Sequence, residues 1–404
     1  MRPRFLLFAF LILSLLAAQA QRNFRVLHAF GAGNDGAGVW DSVTIDVSGN
    51  IYGTTSGRGA YGGGTVFRLT PGSTGHWSET ILHNFGRQND GAGPLGGVLI
   101  GPSGVLYGTT QVGGAYSAGT VFELASGPHG WKETTLYSFG NNDLACCPWG
   151  NLTLDPDGNL YGTGGSAFEL SLGSKKWVES ILHSFTARNG DGAAPFAGPI
   201  RDAAGNLYGT TRYGGGSNEC ADGCGTVWEL QPPEGDEGLG AAAWIEHILH
   251  RFGFSDNDGV WPGLGQLAMD SQGSLYGTAQ GGKTGAGIIF KLSHPAGESS
   301  EKWRETILYN LTGGANGDTS QGVILDKAGN LYGTTLYGGN GNGVVFALSP
   351  QADGSWKYTL LHTFVGTDGS QPDANLTLGP HGKLYGTTAT GGAHGGGVVF
   401  QLTP

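Results

Sequence analysis

One short motif recurs seven times in this sequence. The heptapeptide GNLYGTT occupies positions 205–211 and returns unchanged at 329–335. Related forms keep the same Tyr-Gly pair at intervals of 47 to 68 residues, with the tyrosine at 52, 107, 161, 208, 276, 332 and 385. Repeats of this length are typical of propellers and solenoids, whose units cannot bury an apolar face alone and must stack on their neighbours. The repeat therefore outweighs the length of 404 residues, which alone would suggest two or three domains.

Each unit contains four short segments with the character of β-strands. The first ends in an Asp-x-x-Gly turn, as in LDKAGN at 325–330, where glycine permits a positive φ and the carboxylate accepts a backbone N–H. The second is the Tyr-Gly motif, and the third is rich in β-branched and aromatic residues, as in GTVFEL at 119–124. The fourth, such as WSETILHNF at 77–85, alternates with a period of two, which predicts its Trp, Glu, Ile, His and Phe on one side.

The two ends of the chain carry complementary parts of a unit. RVLHAF at 25–30 matches the end of a fourth segment, whereas the sequence finishes at 397–404 after a third segment. Closing a ring protects the edge strands of its sheets, so the N-terminal strand is expected to complete the last sheet. We predict an all-β fold, a seven-bladed β-propeller of four-stranded blades. A β-solenoid is the alternative, but its units are usually shorter and would leave no such half-units.

These motifs together resemble the GloVer tandem repeat of bacterial exported proteins of the choice-of-anchor kind. The resemblance rests on GNLYGTT, GTVFxL and WxETxLxxF, which recur in one order over nearly the whole sequence. It implies an exported bacterial protein of undefined activity and transfers no catalytic residue. Proteins of this kind often end in a surface anchor, whereas this sequence ends at Pro404, inside the last repeat.

The first twenty residues have the pattern of a secretory signal peptide. Two arginines precede an apolar run over residues 5–16, and small residues follow at 18–20. The run is shorter than the roughly 20 residues needed to cross a bilayer. We predict a signal peptide at 1–20, one propeller domain at 21–404, and a secreted or periplasmic mature protein without a transmembrane segment. The net charge of -11 argues against nucleic acid as a partner, because no basic stripe is present to neutralise phosphates.

Four cysteines follow the predicted signal peptide. An oxidising compartment favours disulfides, and a zinc site is disfavoured because no histidine lies close in sequence. Cys220 and Cys224 are separated by Ala-Asp-Gly, a flexible turn that can bring their Cα atoms within the roughly 4.4 to 6.8 Å that a disulfide accepts. We predict that they pair. Cys146 and Cys147 are expected to form a vicinal disulfide or to reach across to unit four.

An aspartate recurs in the loop that precedes the first strand of each unit, which we call the leading loop. Seven such carboxylates around one mouth of a propeller channel could hold Ca²⁺ or another hard cation. Asp before Gly is also ordinary turn chemistry, and we predict this structural role, with no metal and no cofactor. The residues are Asp35, Asp90, Asp143, Asp191, Asp258, Asp318 and Asp368.

Three further residue types recur in the fourth segment. Its histidine is replaced by tyrosine in two units, so we interpret this position as packing with a polar tip rather than as a metal ligand. The tryptophan that opens the segment is interpreted as blade packing. The glutamate two residues later is a poor candidate for an acid/base pair, because it too is repeated.

Departures from the sevenfold pattern are the better guide to a binding site. Unit three carries Trp149 beside its cysteine pair, and unit four has the longest loop, which contains Tyr213. Together with Trp261, these sparsely repeated aromatics are our predicted ligand-binding residues. An acidic insertion at 232–243 is expected to leave from the opposite face.

Two functions fit this sequence. The first is a binding or scaffolding module that presents its loop face to an extracellular glycan, protein or surface polymer. The second is an enzyme, such as a lyase or hydrolase acting on polysaccharide, since propellers host such sites near the channel. The sequence contains no recognisable catalytic motif, which favours binding.

Overall fold

The computed structural model describes residues 23–73, 75–87, 89–140, 144–233, 243–255, 257–294 and 303–404. Within these residues the chain forms seven four-stranded antiparallel sheets in a ring, which is a seven-bladed β-propeller. The predicted fold is thereby confirmed. The predicted signal peptide and most of the acidic insertion lie outside the described residues.

Each blade has four strands, ordered below from the axis outwards. Blade 1 has Thr44–Ile45, Ile51–Thr55, Thr65–Pro71 and Trp77–Asn84. Blade 2 has Leu99–Ile100, Leu106–Thr110, Thr120–Gly127 and Gly130–Ser138. Blade 3 has Thr153–Leu154, Leu160–Thr163, Ser166–Leu172 and Trp177–Ser184. Blade 4 has Ile200–Arg201, Leu207–Thr211, Thr226–Gln231 and Ile245–Arg251. Blade 5 has Ala268–Met269, Leu275–Gly281, Ile288–Ser293 and Arg304–Asn310. Blade 6 has Asp318–Leu325, Leu331–Tyr337, Val344–Pro350 and Trp356–Thr363. Blade 7 has Thr377–Leu378, Leu384–Thr388, Val398–Leu402 and Phe24–Ala29.

Short elements extend individual blades at their leading loops. Gly91–Ala92 pairs with Val112–Gly113, Gly192–Ala193 with Tyr213–Gly214, and Gly259–Pro262 with the second strand of blade 5. Short 3-10 turns cover Pro102–Gly104, Gly314–Asn316 and Pro380–Gly382. Within the described residues, no helix has the length and apolar character required to cross a membrane.

The recurring motif forms the hairpin between the first and second strands. In blade 1, Asp46 accepts the backbone N–H of Asn50 at 2.9 Å, and Tyr52 donates its hydroxyl to the same carboxylate at 3.1 Å. Gly53 lies against the ring of Phe67, which an added Cβ would approach to 2.6 Å. The Tyr–Asp bond recurs in blades 3, 4, 5 and 6. The motif is repeated because it folds each blade.

The apolar core lies in the seams between neighbouring blades. In the seam between blades 1 and 2, the fully buried Phe85 and Phe122 have ring centroids 5.0 Å apart. The tryptophan that opens the fourth strand also packs across a seam, as where Trp131 meets Tyr52 of the preceding blade at 6.4 Å. Seven such clusters together span all seams. The predicted packing role of this tryptophan agrees with these contacts.

A β-bulge interrupts the pairing of every fourth strand with its third strand. In blade 1 the extra residue is Leu82, between Ile81 and His83. Ahead of the bulge, Trp77 and Ile81 pack toward blade 7. Beyond it, His83 and Phe85 contact blade 2. The prediction that all these residues lie on one side is wrong, because an extra residue in a strand reverses its alternation.

The N-terminal strand closes the ring as predicted. Phe24–Ala29 pairs antiparallel with Val398–Leu402, the third strand of blade 7. Beyond this strand, Phe30 is fully buried and packs against Phe67 of blade 1, with ring centroids 4.7 Å apart. The first and last parts of the described chain are thus held together only by noncovalent contacts.

Candidate functional site

Hydrogen bonds from the repeated motif fix the leading loops at the axis of the ring. The threonine that follows Tyr-Gly donates its hydroxyl to a backbone carbonyl in the leading loop of the next blade. These bonds join Thr54 to Gly96, Thr163 to Ala197, Thr334 to Ala374 and Thr387 to Asp41, at 2.9 to 3.0 Å. Because the acceptors are carbonyls, the backbone is held there whatever side chain the loop carries.

Side chains that meet across the axis form a plug in the channel. Asn151 of blade 3 donates to the Asp41 carboxylate of blade 1 at 3.2 Å. Asn375 of blade 7 donates to the carbonyl of Gln266 in blade 5 at 2.9 Å. Glycines make room for these amides: a Cβ at Gly322 would lie 1.9 Å from the Asn375 side chain. Asn151 and Asn375 also line a second cavity, of about 500 Å³, on the opposite side from the cavity described next.

A cavity of about 370 Å³ opens on the leading-loop side of the plug. We call it the axial cup. Trp149 packs on Phe196 with ring centroids 4.8 Å apart, and the Trp40 indole N–H donates to Ser56 at 2.9 Å. Both tryptophans remain 37% exposed, so their surfaces are available to a ligand. The lining consists of Trp40, Asp41, Leu95, Gln111, Trp149, Gly150, Phe196, Leu264, Gly265, Asp373 and Ala374.

Two aspartates, Asp41 and Asp373, place carboxyl groups in the lining of the axial cup. Burial raises the pKa of Asp41, although hydrogen bonds from Ser42, Gly97 and Asn151 oppose the shift. Burial, together with the nearby charge of Asp41, raises the pKa of Asp373 to about 7, although the charge of Arg212 opposes this shift. One carboxylate oxygen of Asp373 is buried without a hydrogen-bond partner. Near neutral pH this carboxyl group can therefore be ionised or neutral.

Only one of the three predicted ligand-binding aromatics lines the axial cup. Trp149 does so. Tyr213 lines a separate groove of about 470 Å³ beside Asp222, in the long loop of blade 4. Trp261 packs on the apolar cluster between blades 4 and 5, and its indole nitrogen is buried without a hydrogen-bond partner. The structure thus does not bring the three residues into one pocket.

The aspartates of the leading loops lie beside the outermost strands. Asp35, Asp90, Asp191, Asp258 and Asp368 each contact the histidine of a fourth strand, at 3.0 to 3.5 Å. They also bind their own loops, as where Asp368 accepts the backbone N–H of Val365 at 2.8 Å. The described aspartates therefore do not form a ring at the channel mouth. Asp318 accepts the Thr319 hydroxyl at 2.8 Å, and Asp143 lies outside the described residues.

At four seams a glutamate of the next blade completes a three-residue cluster with this histidine and aspartate. The bulge makes this contact possible. The histidine follows the bulge of its own strand and therefore points toward the next blade, whereas the glutamate precedes the bulge of that next blade's strand and points toward the histidine. In each cluster the ligand-type atoms lie within 4.8 Å of one another. The clusters are His28–Asp35–Glu79, His83–Asp90–Glu133, His183–Asp191–Glu246 and His250–Asp258–Glu305.

These clusters have the donor types of a metal site, and they also serve as polar contacts between blades. Burial raises the pKa of Glu246 and of Glu305 to about 7. Other seams use different chemistry at the same positions: Tyr137 donates to Glu179 at 2.8 Å, and His362 stacks on Phe24 with ring centroids 3.6 Å apart. Because a tyrosine–glutamate pair and a histidine–phenylalanine pair occupy the same positions at other seams, packing between blades is sufficient to explain why these residues recur, and no metal is required. The absence of a metal stays a prediction.

The cysteines fulfil half of the prediction. Cys220 and Cys224 form a disulfide with their Cα atoms 5.3 Å apart, as predicted. Cys146 and Cys147 form no disulfide with each other or with unit four: the Cys147 thiol donates a hydrogen bond to the Cys146 sulfur at 3.1 Å, well beyond the roughly 2.05 Å of a disulfide. Cys147 has a φ of 60° and donates its N–H to Ala118 at 2.9 Å. The loop backbone, rather than a sulfur bond, shapes this turn.

The fold and the axial cup define a class of protein: a closed seven-bladed propeller with a pocket at one mouth of its channel. The chain belongs to the family described as the Gloeobacter/Verrucomicrobia repeat, which it matches over residues 15–221 and 221–404. This agrees with the resemblance seen in the sequence. No curated protein matches the chain.

Solved structures show only distant similarity. A putative oxidoreductase (glucose dehydrogenase) from Thermus thermophilus is 16% identical, with a TM-score of 0.47, and the match covers 94% of this chain and 100% of that one. A gluconolactonase from Xanthomonas campestris is 13% identical, with a TM-score of 0.39 and coverage of 94% and 89%. A luciferin-regenerating enzyme is 14% identical, with a TM-score of 0.45 and coverage of 74% and 87%. Likeness at this level transfers no activity to this chain.

Sequence reasoning missed most of the cup. Trp40, Asp41, Phe196 and Asp373 were not among the predicted site residues, although each lies in a leading loop. A signal for them was present. When the blades are aligned on the first-strand residue that pairs with the repeated tyrosine, the fourth residue before it is Trp40, Leu95, Trp149, Phe196, Leu264, Ser320 and Asp373. This position varies in type while its surroundings repeat.

Proposed function

We propose that this protein is an exported binding module that takes part of an extracellular glycan or surface polymer into the axial cup. One observation carries the proposal: in six of the seven blades the side chain at this variable position lines one aromatic-walled cavity. Folding alone would let these positions repeat, because threonine hydroxyls bind the backbone of the loops rather than their side chains. Cavities of this size with aromatic walls and a few polar groups are typical of small-ligand sites.

Export is part of this proposal. The pattern of residues 1–20 is that of a signal peptide, and the Cys220–Cys224 disulfide suits an oxidising compartment. Detecting the protein in the medium or periplasm of the producing cell, with its N-terminus near residue 21, would support export. A cytoplasmic protein that begins at Met1 would contradict it.

The test of binding is a screen of the purified protein against glycans, followed by variants of the cup. Trp149→Ala should weaken binding of any ligand found by about tenfold or more, since a buried aromatic contact contributes on the order of 1–3 kcal/mol. The matched control is Tyr116→Ala, because Tyr116 is 60% exposed and lies in a loop outside the cup. Equal affinity of the two variants would place the site elsewhere.

A second candidate function rests on the two carboxylates. A carboxyl group with a pKa near 7 beside a second carboxylate is an arrangement used for glycosidic bond cleavage. The same screen with chromogenic glycosides tests this alternative. Turnover that is lost in Asp373→Asn but retained in Asp353→Asn, which removes an exposed carboxylate, would favour hydrolysis over binding.

A further inference from the structure

We infer that the axial cup binds a protonated amine, and that its ligand is an amino sugar with a free amino group. Such a ligand presupposes the glycan-binding function proposed above and specifies its chemistry. Three features of the cup support it: unbalanced carboxylates, aromatic walls and a closed floor.

The carboxylates of the cup lack a matching positive charge. Among the described residues that line it, two are aspartates and none is Lys, Arg or His. The oxygen of Asp373 that has no hydrogen-bond partner is already buried, and Arg212 is the one basic group that acts on this carboxyl. A neutral ligand would give these carboxyl groups no further positive charge, and an ionised group that is buried without a partner costs free energy. An ammonium group would instead neutralise them and supply three hydrogen-bond donors.

The aromatic walls favour the same charge. The faces of Trp40, Trp149 and Phe196 attract cations through their negative electrostatic potential, most strongly where water is excluded. The same flat faces provide apolar surface for a pyranose ring. A ligand with an ammonium group beside the carboxyl groups and a sugar ring against the indoles would therefore contact both the polar and the aromatic parts of the lining.

The plug limits how far a ligand can extend. Asn151 and Asn375 form hydrogen bonds across the channel below the cup, so we expect only a terminal or protruding unit of a polymer to enter. The volume of about 370 Å³ is at the small end of ligand pockets. A single compact ring suits this space better than a peptide backbone that carries a lysine.

The experiment compares three soluble oligosaccharides by titration calorimetry with the full chain. They are glucosamine oligomers, the same oligomers fully N-acetylated, and glucose oligomers of equal length. We expect the free-amine oligomers to bind about tenfold more tightly or better, consistent with a desolvated cation–π contact and a charge pair. Asp373→Asn should remove this preference. Asp353→Asn changes the net charge equally at an exposed site and should retain it.

Two measurements on the unaltered protein guard against a variant that fails to fold. Binding of the amine should weaken as salt is raised, whereas binding of neutral sugars should not. It should also strengthen from about pH 5.5 to 6.5, because Asp373, with a pKa of about 7, begins to lose its proton over this range while the sugar's amino group is still largely protonated. Amine binding insensitive to both conditions would overturn the inference.

The possible outcomes separate this inference from the proposed function. Equal binding of the acetylated and free forms, lost in Trp149→Ala, would overturn the amine but retain the cup as a glycan site. A preference that survives Asp373→Asn, or no binding of the amine oligomers at millimolar concentration, would also overturn it. A lysine peptide serves as a fourth probe in the same titrations, and tighter binding of this peptide than of the amino sugars would retain the cation and overturn the sugar. Binding unaffected by Trp149→Ala would overturn both proposals.

Discussion

Truncating Phe30 should destabilise the whole ring, although the residue lies close to the N-terminus. Phe30 is fully buried, and its ring lies 4.7 Å from that of Phe67 and 4.4 Å from that of His28. Replacing a buried phenylalanine by alanine costs about 3–5 kcal/mol, through lost apolar burial and the cavity left behind. Phe30→Ala would thereby weaken the packing that holds the closing strand in place. A cost of about 3–5 kcal/mol is a large fraction of the roughly 5–15 kcal/mol by which most domains are stable.

The assay is urea unfolding, followed by tryptophan fluorescence. The control is Phe254→Ala, because Phe254 is 62% exposed and its truncation should change the free energy of unfolding by less than about 0.5 kcal/mol. Phe85→Ala, the corresponding change inside a covalently continuous blade, should cost as much as Phe30→Ala. If Phe30→Ala behaved like Phe254→Ala, the N-terminal strand would not close the ring in solution and this reasoning would be refuted.

Three further outcomes are expected. Replacing both Cys220 and Cys224 by serine should lower the free energy of unfolding by about 2 kcal/mol, the chain entropy of so short a loop, and an unchanged urea midpoint would contradict this. Burial raises the pKa of Glu305 to about 7; because the folded pKa exceeds the unfolded one, wild-type stability should fall from about pH 5 to 8, and less steeply in Glu305→Gln. Equal slopes of melting temperature against pH would show that this glutamate is not responsible. Millimolar Ca²⁺ or EDTA should barely move the melting temperature, whereas a saturable rise with Ca²⁺ would show a bound cation.

The sequence predicted the blades well because the folding of each unit is local. Asp46, Asn50 and Tyr52 lie within seven residues and bond to one another, so their spacing carries the turn. Ring closure was also predictable, because the unmatched third and fourth segments at the two ends leave one natural pairing. The bulge at Leu82 was not predictable from the sequence pattern, because apolar and polar residues keep alternating with a period of two on both sides of it. In the structure the extra residue switches the following side chains to the other face of the strand. That error matters, because the reversal brings His83 to Glu133 of the next blade.

The cup was harder to predict because its residues are distant in sequence and meet only through ring geometry. Trp40 and Asp373 share a cavity, yet nothing near either residue indicates the other. The irregular loops of the sequence contain Trp149, which lines the cup, and also Tyr213, which lines a separate groove, whereas Trp261 packs in the seam between blades 4 and 5. Irregularity alone therefore does not identify the side chains that enter the cup. In four blades the threonine that follows the Tyr-Gly pair binds the backbone of the next leading loop, which fixes the loop while the neighbouring side chain remains free to vary.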